Sequence, residues 1–450
     1  MQNTETYSSL TMQKKEAIGL LSIGTFLEYF DLLLYVHMSV LLNELFFPKT
    51  DPHTTALLTA FAFCSSYVLR PFGALVFGYL GDHIGRKSTV IITTMMMSLS
   101  CFTMANLPTY EQIGITAAYL VTACRIVQGM SSMGEVIGAD LYITEITKPP
   151  VQYPAVTLIA VFGVLGGTCA LGVASLVTSF DFDWRNAFWF GALVAVVGAV
   201  ARTRMRETPD FADAKRRIKS AMIKSDHDPS ILDTNVIWNE KVKTKTAVAL
   251  FIIECSWPIC FYFAYMYCGS ILKNTFHFSP EEVIHQNFIV SMIQLFSWFI
   301  LAYLSYKIYP LKIIKVRLAI FMLFVLICPY LFSHLTSPFQ IMFIQTVIVV
   351  FGFMGTPAIP IFYKHFPVFK RFTYATFAYA LSRAVVYVIT SFGLVYFSEF
   401  FGHRVILVVM VPTAIAFIYA IRHFEELEKE AQHLSSLVDS PEQLPEAQNS

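Results

Sequence analysis

Residues 78–87 read GYLGDHIGRK, a short polar segment between apolar runs at 55–80 and 88–107. Glycine suits a chain that must turn tightly, and Gly78 and Gly85 flank this turn. Asp82 stands near the end of one run, and Arg86 with Lys87 opens the next, a basic pair that resists transfer across a bilayer. The segment reads as the connection between two membrane-spanning helices. The composition agrees, since 56% of the 450 residues are hydrophobic and 14% charged, against roughly 25% charged in an ordinary soluble protein. Working outward, segments with the roughly 20 apolar residues that a spanning helix needs recur twelve times, near 17–42, 55–80, 88–107, 113–144, 153–180, 186–203, 246–271, 283–306, 313–333, 338–363, 373–398 and 403–421. A transmembrane β-barrel would instead alternate over about ten residues. The fold class is therefore all-α membrane protein.

Twelve crossings put both ends on one side. With that side cytoplasmic, and residues at span ends assigned to the nearer side, 25 of the 32 Lys and Arg residues fall inside, four fall outside and three lie deep within spans, as the positive-inside rule requires. Domain organisation follows: a cytoplasmic N-terminus (1–16), a six-helix bundle (17–203), a linker rich in both charges (204–245), a second six-helix bundle (246–421) and an acidic cytoplasmic tail (422–450). The first apolar run holds Glu28 and Asp31 and lacks a small-residue cleavage site, so it reads as a retained span. In the tail, Phe424, Leu427, Ala431, Leu434 and Val438 step by three and four. Two heptads leave pairing of tails as a minor alternative to a monomer with a frayed helix. The net charge of +1 offers no basic stripe for nucleic acid. The eight cysteines lie in apolar stretches without the spacing of a zinc site. No H-E-x-x-H, nucleophile elbow or phosphate loop points to an enzyme.

The pattern Gly78-x-Leu80-x-Asp82-x-x-Gly85-Arg86-Lys87 resembles the signature of the major facilitator superfamily of transporters. Around it stand GTFLEYFDLLLY (24–35), SSYVLRPFGALVFGYLGD (65–82), LPTYEQIGI (107–115), RIVQGMSSMGE (125–135), YITEI (142–146), DWRNAF (183–188) and RETPDF (206–211). Together they resemble the superfamily's metabolite:proton symporter branch, which includes proline/betaine, 2-oxoglutarate, citrate and shikimate transporters. In the second half the likeness thins to HFPVFKR (365–371). The resemblance implies a cytoplasmic gate of Gly78, Asp82, Gly85, Arg86, Lys87 and Glu145, extended by Glu207 and Arg371, with Glu135 deeper in the fourth span. Tyr306, Tyr309 and Pro310 occupy the second-half positions of Asp, Gly and Arg, and Lys364 replaces a usual acid, so the gate is expected to be lopsided.

Four charged residues, Glu28, Arg70, Arg125 and Arg383, fall roughly 15–23 Å into their spans at 1.5 Å per residue, and Asp31 is one turn from Glu28. Each intramembrane charge costs about 2.5–3.5 kcal/mol on insertion scales, which calls for either helix-tying pairs or a solvated central cavity. Three arginines against two acids predict an anionic group on the substrate, since a guanidinium grips a carboxylate with two parallel hydrogen bonds. Substrate-binding candidates are Arg70, Arg125, Gln128 and Arg383, with Trp257, Tyr262 and Tyr265 as an aromatic cage for a quaternary ammonium. Glu28 and Asp31 are the proton-coupling candidates: a carboxyl away from water keeps its proton, and an approaching arginine displaces it. Glu254 and Asp140 carry no assigned role. The expectation is proton-driven symport of a small carboxylate-bearing metabolite across a cell membrane of the bacterial inner-membrane type, with no cofactor beyond the proton. By resemblance the substrate is a zwitterion such as proline or betaine; a dicarboxylate or tricarboxylate substrate and a transporter-fold nutrient sensor are the alternatives.

Overall fold

The computed structural model describes residues 11–48, 67–180, 183–203, 213, 216, 240–390 and 400–439, and every regular element among them is helical. Before the linker these are α1 (Met12–Phe46), α2 (Arg70–His83), α3 (Arg86–Ala105), α4 (Ile115–Ile146), α5 (Gln152–Phe180) and α6 (Arg185–Arg202). After it come α7 (Thr244–Phe276), α8 (Pro280–Lys307), α9 (Pro310–Ser333), α10 (Pro338–Phe351), α11 (Val368–Val388) and α12 (Val405–Asp439). By length and composition, six of these (α1, α3, α5, α7, α8 and α12) contain stretches able to cross a membrane. Glu207 lies outside the described residues.

Local sequence explains where the helices begin. Proline opens α8 and α10, where its missing N–H costs nothing, and the preceding Ser279 and Ser337 form capping boxes with Glu282 and Gln340. Within α7, Pro258 cannot donate to the carbonyl of Glu254 four residues earlier. The helix then widens into a π segment over Tyr262–Tyr267, a distortion that often marks functional sites.

The helices before the linker pack on one another, with α1 against α5 and α3 against α4 and α6, and those after it pack α7 against α11 and α12. Two seams join the halves, α5 against α8 and α2 against α11. Close approach of α1 and α5 depends on glycine, because a Cβ at Gly166 would collide with the carbonyl of Phe26. Gly163 and Gly167 on the same face meet Tyr29 and Leu33. The outer surface is apolar, with Leu99, Phe296 and Leu323 each about two-thirds exposed, which suits contact with lipid.

The tail departs from the expectation of a frayed helix. α12 continues through its apolar part to Asp439, and Phe424 is buried against Phe362 with ring centroids 4.6 Å apart. Glu425 accepts from Lys315 Nζ at 2.6 Å, and Glu428 accepts from Lys364 Nζ at 2.7 Å and meets His365 Nε2 at 2.6 Å. Lys364, at a position where the resemblance implies an acid, is thus paired with an acid from the tail.

Candidate functional site

A cavity of about 180 Å³ lies between the halves, lined by helices of both. Arg70 at the start of α2 and Arg383 on α11 bring it two guanidinium groups; Asp140 on α4 and Glu254 on α7 bring two carboxyls. Much of the remaining wall is aromatic, including Tyr29, Tyr67, Trp257, Tyr265, Tyr379 and Tyr387. The hydroxyls of Tyr29 and Tyr379 meet at 3.1 Å and join α1 to α11 across the seam.

The two arginines differ in what already holds them. Arg383 Nη1 donates to Glu254 Oε2 at 2.7 Å, to the Glu254 carbonyl at 2.9 Å and to Ser382 Oγ at 2.9 Å, and its guanidinium lies 3.5 Å from the centre of the Tyr379 ring. The carbonyl it uses is the one Pro258 leaves without an N–H partner. Arg70 is 1% exposed and stands 4.4 Å over Tyr67, yet its Nε and Nη2 have no hydrogen-bond partner among the described residues. These two nitrogens form one side of the guanidinium fork, the geometry that matches a carboxylate.

The count of three arginines against two acids therefore needs correction for the cavity. Among the described residues two arginines and two acids line it, so the formal charge of that lining is balanced. Arg125 and Gln128 lie outside that lining, inside the first half, where Arg125 Nη1 donates to Gln128 Oε1 at 2.8 Å and the guanidinium sits 4.0 Å over Tyr35. Asp31 is buried beside Arg125 and the Cys101 thiol, and neither of its oxygens has a nitrogen or oxygen partner among the described residues. Glu28, also buried, faces a separate small void against α3 with Thr93, Thr94 and Ser131. Trp257 and Tyr265 line the cavity, with Tyr265 donating to Gln294 at 2.9 Å, whereas Tyr262 lies outside the lining.

At the end of the array where the linker attaches, the halves are clamped. Asp82 Oδ1 accepts from the Phe372 N–H at 3.2 Å, and Oδ2 accepts from the Thr373 N–H at 2.8 Å and the Thr373 hydroxyl at 2.7 Å. The carboxylate thus meets the second turn of α11 and ties α2 to it. Gly78 allows the approach: a Cβ there would come within 2.7 Å of Thr376 Oγ1 and 2.8 Å of the Thr373 backbone. Beside it Arg371 pairs with Glu145 at 3.2 Å, both buried. Gly85 has φ of 114° and begins α3, and Lys87 follows half-buried. The side chains of Arg86 and Glu135 lie outside the described residues.

Residues 21–385 match the family model described as Major Facilitator Superfamily. The chain belongs to this superfamily. It is 26% identical over 276 residues to the proline/betaine transporter of Escherichia coli strain K12, covering 60% of this chain and 55% of that one. Identity to the inner membrane metabolite transport protein YhjE of the same strain is 32% over 231 residues, covering 49% of this chain and 52% of that one. It is 25% identical over 277 residues to the glycine betaine/proline/ectoine/pipecolic acid transporter OusA of Dickeya dadantii, covering 60% and 54%. The chain thus spans about half the length of the curated relatives it matches. In fold it is similar to the proton:xylose symporter XylE of E. coli, with a TM-score of 0.73 at 13% identity over 92% of this chain and 95% of that one. It is also similar to the human organic anion transporter MFSD10, with a TM-score of 0.63 at 14% identity over 91% and 99%. Superfamily membership makes this a multi-pass membrane protein of a transporter family, and not an enzyme.

Proposed function

We propose that the protein is a secondary active transporter that carries a small carboxylate-bearing zwitterion, of the proline or glycine betaine type, together with a proton. The supporting observation is the open side of the Arg70 fork in a cavity that is otherwise aromatic and balanced in charge. A buried guanidinium with unpaired donors is costly, and a carboxylate relieves that cost. The aromatic faces then receive the cationic end of the same molecule. The relatives named for proline and betaine agree with this reading, and the balanced lining disfavours a dicarboxylate or tricarboxylate.

In this reading the twelve spans form two six-helix bundles around the cavity, with the linker and both termini cytoplasmic and no cofactor beyond the proton. The Asp82 and Glu145 clamps close the cytoplasmic end. A ligand shifts such a molecule between states only through contacts that differ between them, and a zwitterion reaching from Arg70 on one half to the α7 and α11 walls on the other supplies such contacts. The proton resides on Asp31. Displacement of that proton by Arg125 couples it to movement of α4.

The test is uptake of radiolabelled proline into proteoliposomes under an imposed pH gradient. Unlabelled glycine betaine should compete and 2-oxoglutarate should not, and Arg70→Lys, which keeps charge but loses the fork, should raise KM about tenfold or more. Competition by 2-oxoglutarate alone would transfer the reading to dicarboxylates. Absence of substrate-driven proton movement would support a sensor.

A further inference from the structure

Arg70 accounts for the anionic end of the cavity; its floor is differently built. Counting about 1.5 Å per residue from the linker end, Arg70 and Arg383 lie about 20 Å deep, Glu254 about 15 Å and Asp140 about 9 Å. Tyr363 closes the short helix Ile359–Tyr363 that follows α10, and it also lines the cavity. Its ring is 1% exposed and its hydroxyl has no hydrogen-bond partner among the described residues. Asp140 and Glu254, one from each half, stand close enough to feel each other's charge, and Tyr363 feels both. Glu254 spends Oε2 on Arg383, while no hydrogen bond among the described residues reaches Oε1 or the Asp140 carboxylate.

The floor therefore offers carboxylate oxygens and one phenolic oxygen that no donor reaches among the described residues, with the Tyr363 O–H as the donor they hold among them. Resting on the zwitterion reading, we propose that Asp140, Glu254 and Tyr363 form a subsite for a cationic nitrogen that carries N–H groups, a primary or secondary ammonium, in preference to a quaternary one. Aromatic faces attract either kind of cation through the ring quadrupole. Unpaired acceptors discriminate, because a quaternary ammonium has no N–H to give them and leaves them unmet, the buried Tyr363 oxygen among them. A site built to hydrogen-bond a polar group rejects the analogue that lacks it far more strongly than an apolar pocket rejects a methyl group. Amino acids and cyclic imino acids meet the demand, with the carboxylate on Arg70 and the ammonium directed at the floor. The pair also spans the halves, so a bound ammonium bridges α4 to α7 as the carboxylate anchors to α2.

The test titrates the purified full-length chain in lipid nanodiscs with a methylation series: glycine, N-methylglycine, N,N-dimethylglycine and glycine betaine, with proline and N,N-dimethylproline as a second pair. Affinity is expected to fall about tenfold or more at the step that removes the last N–H, the scale of one charge-assisted hydrogen bond. In Tyr363→Phe and in Asp140→Asn that step should shrink toward unity while carboxylate dependence through Arg70 persists, and Tyr363→Phe carries the comparison if Asp140→Asn does not fold. Quaternary members binding as tightly as their N–H counterparts overturn the inference and leave the zwitterion reading in place, as does a step unchanged in both variants. Binding by no member of either series overturns both.

Discussion

Replacing Asp82 by Asn tests whether the clamp at the linker end holds the molecule closed there. The carboxylate accepts three hydrogen bonds from Phe372 and Thr373 in the second turn of α11, at 3.2, 2.8 and 2.7 Å. All three exist only while α2 and α11 are joined, so their loss falls on the closed state alone. Asparagine keeps one acceptor oxygen and turns an N–H₂ toward the others, losing at least one charge-assisted bond worth about 1.5–3 kcal/mol. The closed state should weaken by about 1.5–3 kcal/mol, a shift of about 10- to 150-fold in its population relative to the open one. Spin labels at Ile84 and Ile308, both exposed and in opposite halves near this end, would read the change as longer distances in double electron–electron resonance, with impaired uptake alongside. Tyr306→Phe is the control: Tyr306 has Lys307 Nζ over its ring at 5.6 Å and makes no hydrogen bond among the described residues. An unchanged distance distribution in Asp82→Asn, or the same change in both variants, would refute the reasoning.

Asp31→Asn mimics a permanently protonated carboxyl beside Arg125 and should abolish accumulation against a gradient while counterflow stays measurable; undiminished pH-driven accumulation would move the role to Glu28. Gly166→Ala forces a methyl group into the Phe26 carbonyl and should lower stability by about 1–3 kcal/mol or more. Gly19→Ala, whose Cβ would meet nothing within 4 Å, should gain roughly 0.5–1 kcal/mol from the lower chain entropy. Thermal unfolding in detergent distinguishes the two, and equal melting temperatures would contradict the tight α1–α5 contact.

The sequence alone determined the helical class and the superfamily, because these rest on run lengths, on a composition that lipid demands and on short contiguous motifs such as GYLGDHIGRK. The meeting of Asp82, Glu145 and Arg371 at one end was also legible, because each lies near a helix terminus, where position along the chain fixes depth. Depth did not fix partnership. Residues Arg70, Arg125 and Arg383 share a level, yet helix rotation turns Arg125 into the first half beside Gln128 and Tyr35, and leaves Arg70 and Arg383 on the cavity wall. Glu254 could have been linked to an outside donor from Pro258, four residues on, which leaves its carbonyl unpaired; that Arg383 is the donor depends on the packing of α7 against α11. Asp140 and Tyr363 gave no such signal. Their place on one cavity floor follows from α4 and the short helix Ile359–Tyr363 converging from opposite halves, and charge balance in the cavity is a property of rotation and packing about helix axes, which hydrophobic length leaves free.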